Sequence, residues 1–210
     1  MVIKNKSVLI TSGPTSVAID SVRVISNTAT GETGLLLAQK LAKLGAKVTL
    51  IRGPAEACCL NKKIRLLRFK FFDELKNKIY AELKSKKYDI LIHAAAVSDF
   101  QPKVTYKQKI DSHKRVLRLN LVPTPKIISL VKKIRKDIFL VGFKFIPRAK
   151  MPALIKASNK LIQESGADLV VANTRDKSGY TAYLVEKNKI SNALPSKKIL
   201  AERLIKKFST

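Results

Sequence analysis

Ser7-Val-Leu-Ile-Thr-Ser-Gly-Pro-Thr15, Ala18-Ile-Asp-Ser-Val-Arg-Val-Ile-Ser-Asn27 and Thr30-Gly31-Glu32-Thr33-Gly34 are three pieces of one stretch, residues 7–34. Val8, Leu9 and Ile10 make an apolar run of strand length, which Gly13-Pro14 ends. After Gly34, Leu35-Leu-Leu-Ala-Gln-Lys-Leu-Ala-Lys-Leu44 has helical spacing and stops at Gly45. A strand therefore runs into a long loop, and the loop into a helix. That order sets backbone N–H groups and a helix N-terminus at the carboxyl end of a strand, where anions bind.

The rest of the chain repeats the alternation. Strands are expected at Lys47–Ile51, Ile64–Phe69, Tyr88–Ala96, Ile138–Phe145 and Asp168–Asn173. Helices are expected over Phe71–Lys86, from Pro125 to about Arg135 with Thr124 as N-cap, over Met151–Ser165 and over Pro195–Phe208. Ala182–Glu186 and Lys189–Ile190 read as a closing hairpin around Lys187-Asn188. Gln101–Leu121 is polar and basic, either an exposed hairpin or a lid whose lysines reach phosphates. Six strands alternating with helices imply an α/β, Rossmann-like, doubly wound and mostly parallel sheet, with a flap and a C-terminal hairpin. No linker or repeat divides it, so residues 1–210 are expected to form a single domain.

Composition bounds the function. No apolar run reaches membrane-spanning length, and Met1-Val-Ile-Lys-Asn-Lys6 lacks the long apolar stretch of a signal peptide. The two cysteines, Cys58 and Cys59, are adjacent, which fits a reduced cytoplasm and an apolar helical turn better than a metal or redox site. The net charge of +27 would suit a nucleic-acid binder, but the basic residues are mostly Lys and run from Lys4 to Lys207. A solvated lysine-rich surface that draws in anionic substrates accounts for them, and no nucleic-acid or membrane partner is expected. Arg52 stands where an NAD site would want an acid, and the first loop lacks Gly-x-Gly-x-x-Gly. Tyr80-Ala-Glu-Leu-Lys84 has the spacing of short-chain dehydrogenases but precedes the central strand. Two readings from other classes remain beside the main one: a basic nucleotide- or RNA-binding Rossmann-like protein, and an NADPH-dependent short-chain reductase.

The motifs of residues 11–34 resemble those of the phosphopantothenoylcysteine synthetase (phosphopantothenate–cysteine ligase) family of coenzyme A biosynthesis, free-standing bacterial type. His93-Ala-Ala-Ala-Val-Ser-Asp-Phe100 resembles the family's Ala-Ala-Val-Ala-Asp-Tyr motif, Gly142-Phe143 its Gly-Phe, and Asp168-Leu-Val-Val-Ala-Asn173 its Asp-x-Ile-Val-Ala-Asn strand. The resemblance implies that His93, Ala94, Ala95 and Asp99 lie at the nucleotide, with His93 contributing mainly backbone. Pro125, Lys126, Ile127 and Ile128 would line it, Phe143 would wall in the base or pack in the core, and Lys109 and Lys160 would meet the phosphates. It assigns Gly13, Pro14, Thr15, Thr30 and Gly31 to phosphopantothenate. Arg23 either joins them or makes a structural salt bridge.

The implied reaction joins 4′-phosphopantothenate to L-cysteine through an acyl-cytidylate, with CTP as co-substrate in bacterial members and ATP in eukaryotic ones. Mg²⁺, held mainly through the nucleotide phosphates, and Lys109 would neutralise developing charge; Asn27 would orient the acyl carbonyl for amine attack. The family works as a homodimer in which the flap of one subunit reaches the other's site. Many members carry a flavin-dependent decarboxylase domain before the synthetase. None of it is recognised in these 210 residues, so a separate decarboxylase is the expected next enzyme. The chain departs from the family at Ala29 (usually Ser), Glu32 (often Lys), Lys126 (an acid) and Glu164 (a second Lys).

Overall fold

A computed structural model describes residues 3–55, 60–113 and 115–208; Cys58, Cys59 and Lys114 lie outside the described residues. The chain runs β1 (Ser7–Ser12), β2 (Ser16–Ala18), β3 (Val24–Ser26), α1 (Glu32–Lys43), β4 (Lys47–Arg52) and β5 (Arg65–Arg68). It continues through α2 (Phe72–Ser85), β6 (Ile90–His93), β7 (Phe100–Pro102), β8 (Leu121–Pro123), α3 (Ile127–Ile134) and β9 (Phe139–Phe145). It ends with α4 (Met151–Ser165), β10 (Leu169–Asp176), β11 (Gly179–Glu186), β12 (Lys189–Ile190) and α5 (Lys197–Lys207).

The six expected strands become the six parallel strands of one sheet, in the order β5-β4-β1-β6-β9-β10. Their apolar runs are continuous because both faces of the sheet are covered. Val8 and Ile10 face the layer of Leu37 and Leu41 from α1 and Leu200 and Leu204 from α5. Leu9 faces the opposite layer, with Leu75 and Ile79 from α2, Ile128 and Val131 from α3 and Leu161 from α4. Gly142 lets that second layer close: a Cβ there would stand 3.0 Å from Ile128 Cδ1 and 3.3 Å from Leu161 Cδ2. The strand order reverses between β1 and β6, which opens a crevice at their carboxyl ends.

Several elements differ from the expectations. β11 starts at Gly179, so the antiparallel edge is longer than the hairpin around Lys187-Asn188; its main partner is β10, closing at Asp176 and Gly179. Two small ribbons, β2–β3 and β7–β8, have three residues per strand, too short for a period to show. The second ribbon is the base of the 101–121 flap. Thr124 is not a helix cap. Its hydroxyl donates to the Ser98 carbonyl at 2.6 Å and its amide to Asp99 at 2.9 Å, so it is spent tethering the chain to the exit of β6. The N-cap is Lys126, and Pro125 precedes the helix. Among the described residues no helix is long and apolar enough to cross a membrane.

Candidate active site

The exits of β1 and β6 are stitched together by backbone. The Ala96 N–H donates to the Gly13 carbonyl at 3.0 Å, and the Thr15 N–H returns to the Ala96 carbonyl at 3.0 Å. Thr15 Oγ1 accepts from the Ser98 amide at 2.8 Å. The Ala96 carbonyl takes a second donor: Asn27 Nδ2, at 2.9 Å. Because a carbonyl only accepts, the amide nitrogen must face it, and Asn27 Oδ1 turns the other way. Residues 26–30 are otherwise exposed, leaving Asn27 on an open shelf above the crevice.

The Gly31 turn packs directly on this shelf. Gly31 has φ +72°, and a Cβ there would stand 2.8 Å from Ser12 Oγ and 2.9 Å from Gly13 N. Ser12 Oγ donates to the Gly31 carbonyl at 2.6 Å, so the start of α1 is bonded to the end of β1. A helix N-terminus therefore lies at the crevice beside Thr30, whose Oγ1 accepts from the Glu32 amide at 3.4 Å. Glu32 is the acid in that first turn, and the Lys197 ammonium of α5 pairs with it, offsetting its repulsion of an anion.

His93 is buried at the last position of β6, with Nδ1 2.9 Å from Thr11 Oγ1. Burial pushes the imidazole down to about 4, so it is neutral at physiological pH. Ala94 and Ala95 are half-buried at the strand exit, where small side chains leave the backbone approachable. Asp99 is exposed, and Lys126 Nζ reaches its Oδ1 at 2.6 Å. The departure at Lys126 thus sets a cation on the acid that the motif places at the nucleotide. Ile127 and Ile128 are buried in the first turn of α3, while Pro125 is exposed.

The remaining candidates lie on β9, α4, the flap and the β2–β3 turn. Phe143 packs against the α1–α5 layer, whereas Phe145, two residues on, is 54% exposed at the strand end. Lys160 sits nine residues into α4, about 14 Å along the helix axis from its start, with Glu164 Oε1 3.7 Å away. Lys109 is exposed on the flap. Arg23 holds Asp20, and its Nη1 also donates to the Ile110 carbonyl at 3.1 Å; this is the structural salt bridge, not a free cation. Tyr80 lies 51% exposed on α2 with Lys84 Nζ 5.5 Å from its ring centre, an ordinary pair on a helix surface. Two surface cavities, of about 360 and 490 Å³, open elsewhere, by β12–α5 and at the amino ends of the strands.

Sequence reasoning passed over Asp20, Ser98 and Phe145. For Asp20 a signal existed: Asp followed by Arg at i+3 favours a turn closed by its own side chain. For Ser98 and Phe145 the defining contacts or exposure come from the tertiary fold.

Residues 3–210 match the family model described as "DNA/pantothenate metabolism flavoprotein C-terminal domain". The chain is 38% identical over 211 residues to a coenzyme A biosynthesis bifunctional protein CoaBC of Thermococcus kodakarensis, covering 96% of this chain and 50% of that protein. It is 31% identical over 206 residues to the protein of the same name in Methanocaldococcus jannaschii, covering 95% and 49%. The chain thus spans about half the length of these relatives. A crystal structure of the DNA/pantothenate metabolism flavoprotein from Streptococcus pneumoniae superposes with a TM-score of 0.87 at 30% identity, covering 97% of this chain and 98% of that one.

Proposed function

This chain belongs to the DNA/pantothenate metabolism flavoprotein C-terminal domain family, and we propose that it joins 4′-phosphopantothenate to L-cysteine in coenzyme A biosynthesis. The observation that carries the reading is the meeting of Asn27, the Ala96 carbonyl and the Gly31 turn at the switch point of the sheet. An anion-binding helix start and an uncharged amide stand together there, beside the strand exit suited to a nucleotide. The relatives named for coenzyme A biosynthesis supply the substrate class.

A free carboxylate is a poor acyl donor because its leaving group would be oxide. The pantothenate carboxylate attacks the α-phosphorus of CTP, the bond to the bridging oxygen breaks, and pyrophosphate leaves. The cysteine amine then attacks the acyl carbon, CMP departs with the electron pair, and the ammonium proton passes to solvent. Gly13, Pro14, Thr15, Thr30 and Gly31 hold the phosphopantothenate. Ala94, Ala95, Asp99 and the start of α3 receive the cytidine, and Phe143 or the exposed Phe145 walls it. Lys109 and Lys160 meet the phosphates. Asn27 orients the acyl carbonyl. Mg²⁺ supplies charge neutralisation on the nucleotide. Among the described residues no three His, Cys, Asp or Glu cluster as ligands, so phosphate oxygens and water would complete its shell.

The chain acts as a homodimer in the cytoplasm, with the flap of one subunit over the other's site. Val22 and Val104 are 63% and 61% exposed, two residues from the ends of β3 and β7, and Val24, Phe100 and Leu121 are exposed on the two ribbons. Apolar exposure gathered on one feature suits a partner surface, and a second copy supplies it. The test is a crystal structure with 4′-phosphopantothenate and CTP. Both ligands should lie at the carboxyl ends of β1 and β6 with Asn27 at the acyl carbon. Ligands on opposite sides of the sheet, or remote from Asn27, would overturn the reading.

A further inference from the structure

We infer that Asp20 is a positioning residue whose buried carboxylate clamps the flap at Ile110 and so fixes where Lys109 stands. The inference rests on the ligase reading only in giving Lys109 a phosphate to meet.

The geometry is a closed triangle. The Ile110 N–H donates to Asp20 Oδ2 at 3.0 Å, and the Ile110 carbonyl accepts from Arg23 Nη1 at 3.1 Å. Arg23 Nη1 also donates to Asp20 Oδ2. The second carboxylate oxygen, Oδ1, accepts the amides of Val22 at 2.9 Å and Arg23 at 2.8 Å, which fixes the acid within the β2–β3 turn. Both backbone polar groups of a single flap residue are thus gripped by one ion pair, 90 residues away in sequence.

The exposure of the flap shows that this grip is its anchor. Residues 103–109 and 111–113 are exposed, as are 115–118, while Ile110 between them is only 7% exposed. Two lesser ties, from the Tyr106 amide to the Ile19 carbonyl at 3.0 Å and from Thr105 Oγ1 to the Ala18 carbonyl at 3.4 Å, run to the same turn. Lys109 precedes the anchor by one residue, so its backbone cannot wander while its long side chain stays free. A carboxylate whose side chain is 0% exposed makes these charge-assisted bonds away from competing water. Burial pushes the acid up, but the Ile110, Val22 and Arg23 donors outweigh it and hold it well below the usual carboxylate range. The clamp is therefore ionised throughout the neutral range. An amide at this position would turn one acceptor into a donor facing donors.

The test compares Asp20→Asn, Arg23→Lys, Lys109→Gln and the Asp20→Asn/Lys109→Gln double variant in the full chain. Hydrogen exchange reads the amides of 103–111, and CTP-dependent pyrophosphate release reads the chemistry. Asp20→Asn should speed exchange of the bonded Tyr106 and Ile110 amides about tenfold or more. It should lower kcat about tenfold, as misplacement of a catalytic group does, with KM for phosphopantothenate within about twofold. The double variant should be no slower than Lys109→Gln alone, because both act through one group. If Asp20→Asn does not fold, Arg23→Lys should give the same kcat loss at unchanged KM. Unchanged flap exchange, losses that multiply in the double variant, or a rise in KM in place of the fall in kcat would overturn the clamp. Should the wild type release no pyrophosphate with any nucleotide, the ligase reading fails, and the exchange measurement still decides the clamp.

Discussion

Asn27 donates its side-chain amide to the backbone carbonyl of Ala96 at 2.9 Å, joining the loop after β3 to the exit of β6. The bond fixes the amide plane and turns Oδ1 outward over the crevice. Asn27→Asp puts a carboxylate against that carbonyl, two acceptors in contact, and the side chain must swing away. Nucleotide activation should survive in this variant while amide formation falls by about 100-fold. Single-turnover quantification of pyrophosphate and phosphopantothenoylcysteine separates the two; normal amide formation would remove Asn27 from the second step.

Gly34 tests the seating of α1 on β1. A Cβ there would stand 2.6 Å from Ser12 Cβ and 2.8 Å from Ser12 Oγ, so α1 or β1 must shift to admit it. Gly34→Ala should destabilise the fold by about 1–3 kcal/mol through overpacking. It should also weaken phosphopantothenate binding by moving the Gly31 turn. Thermal unfolding together with a KM series checks both; a variant with unchanged Tm would show the contact to be soft.

These examples show what was legible in the sequence. The six parallel strands were, since a strand buried on both faces needs an unbroken apolar run, as Val8-Leu9-Ile10 and Ile90-Leu91-Ile92 have. The loop that ends in the Gly31 turn was legible too, because a strand runs through it into a helix, whereas the strand order that puts the switch point between β1 and β6 came only with the fold. The ribbons did not, because three-residue strands such as Val24-Ile25-Ser26 carry no period. Thr124 looked like a cap and was not, because a tertiary acceptor, the Ser98 carbonyl, outcompeted the helix for its hydroxyl. Arg23 had two readings, and only the fold revealed that Asp20 and Ile110 take its Nη1.

Acid should weaken the fold in two stages. Burial lowers His93 from 6.5 to about 4, so the unfolded chain takes up that proton first, and stability falls as pH drops from about 6.5 towards 4. Burial raises Glu82, but hydrogen bonds from Arg65, Tyr88 and Lys86 outweigh it and bring it down to about 2 from 4.5. The Glu82 contribution is therefore complete above 4.5 and lost as pH falls towards 2. Urea midpoints across pH should show both limbs. Glu82→Gln should shrink the lower one, to which Asp20 also contributes, and cost about 2 kcal/mol at neutral pH; an unaltered lower limb would exclude Glu82 as one of its sources.

The Lys126–Asp99 pair makes a different kind of prediction. Both side chains are well exposed, 60% and 65%, so Lys126→Ala should change stability by less than about 0.5 kcal/mol. It should still raise KM for the nucleotide severalfold, because it removes a cation beside the site, and the effect should shrink at high salt. Steady-state kinetics at two ionic strengths checks this; an unchanged KM would leave Lys126 as surface charge alone.

The central claim is that this scaffold turns an inert acid into an amide by giving it a cytidylate leaving group. Pyrophosphate release, followed with CTP or ATP, with and without 4′-phosphopantothenate, and then with L-cysteine, tests it most directly. The account predicts release with CTP only when phosphopantothenate is present, followed by phosphopantothenoylcysteine and CMP in equal amounts once cysteine is added. Pyrophosphate release that ignores phosphopantothenate, or amide formation without any nucleotide, would contradict it.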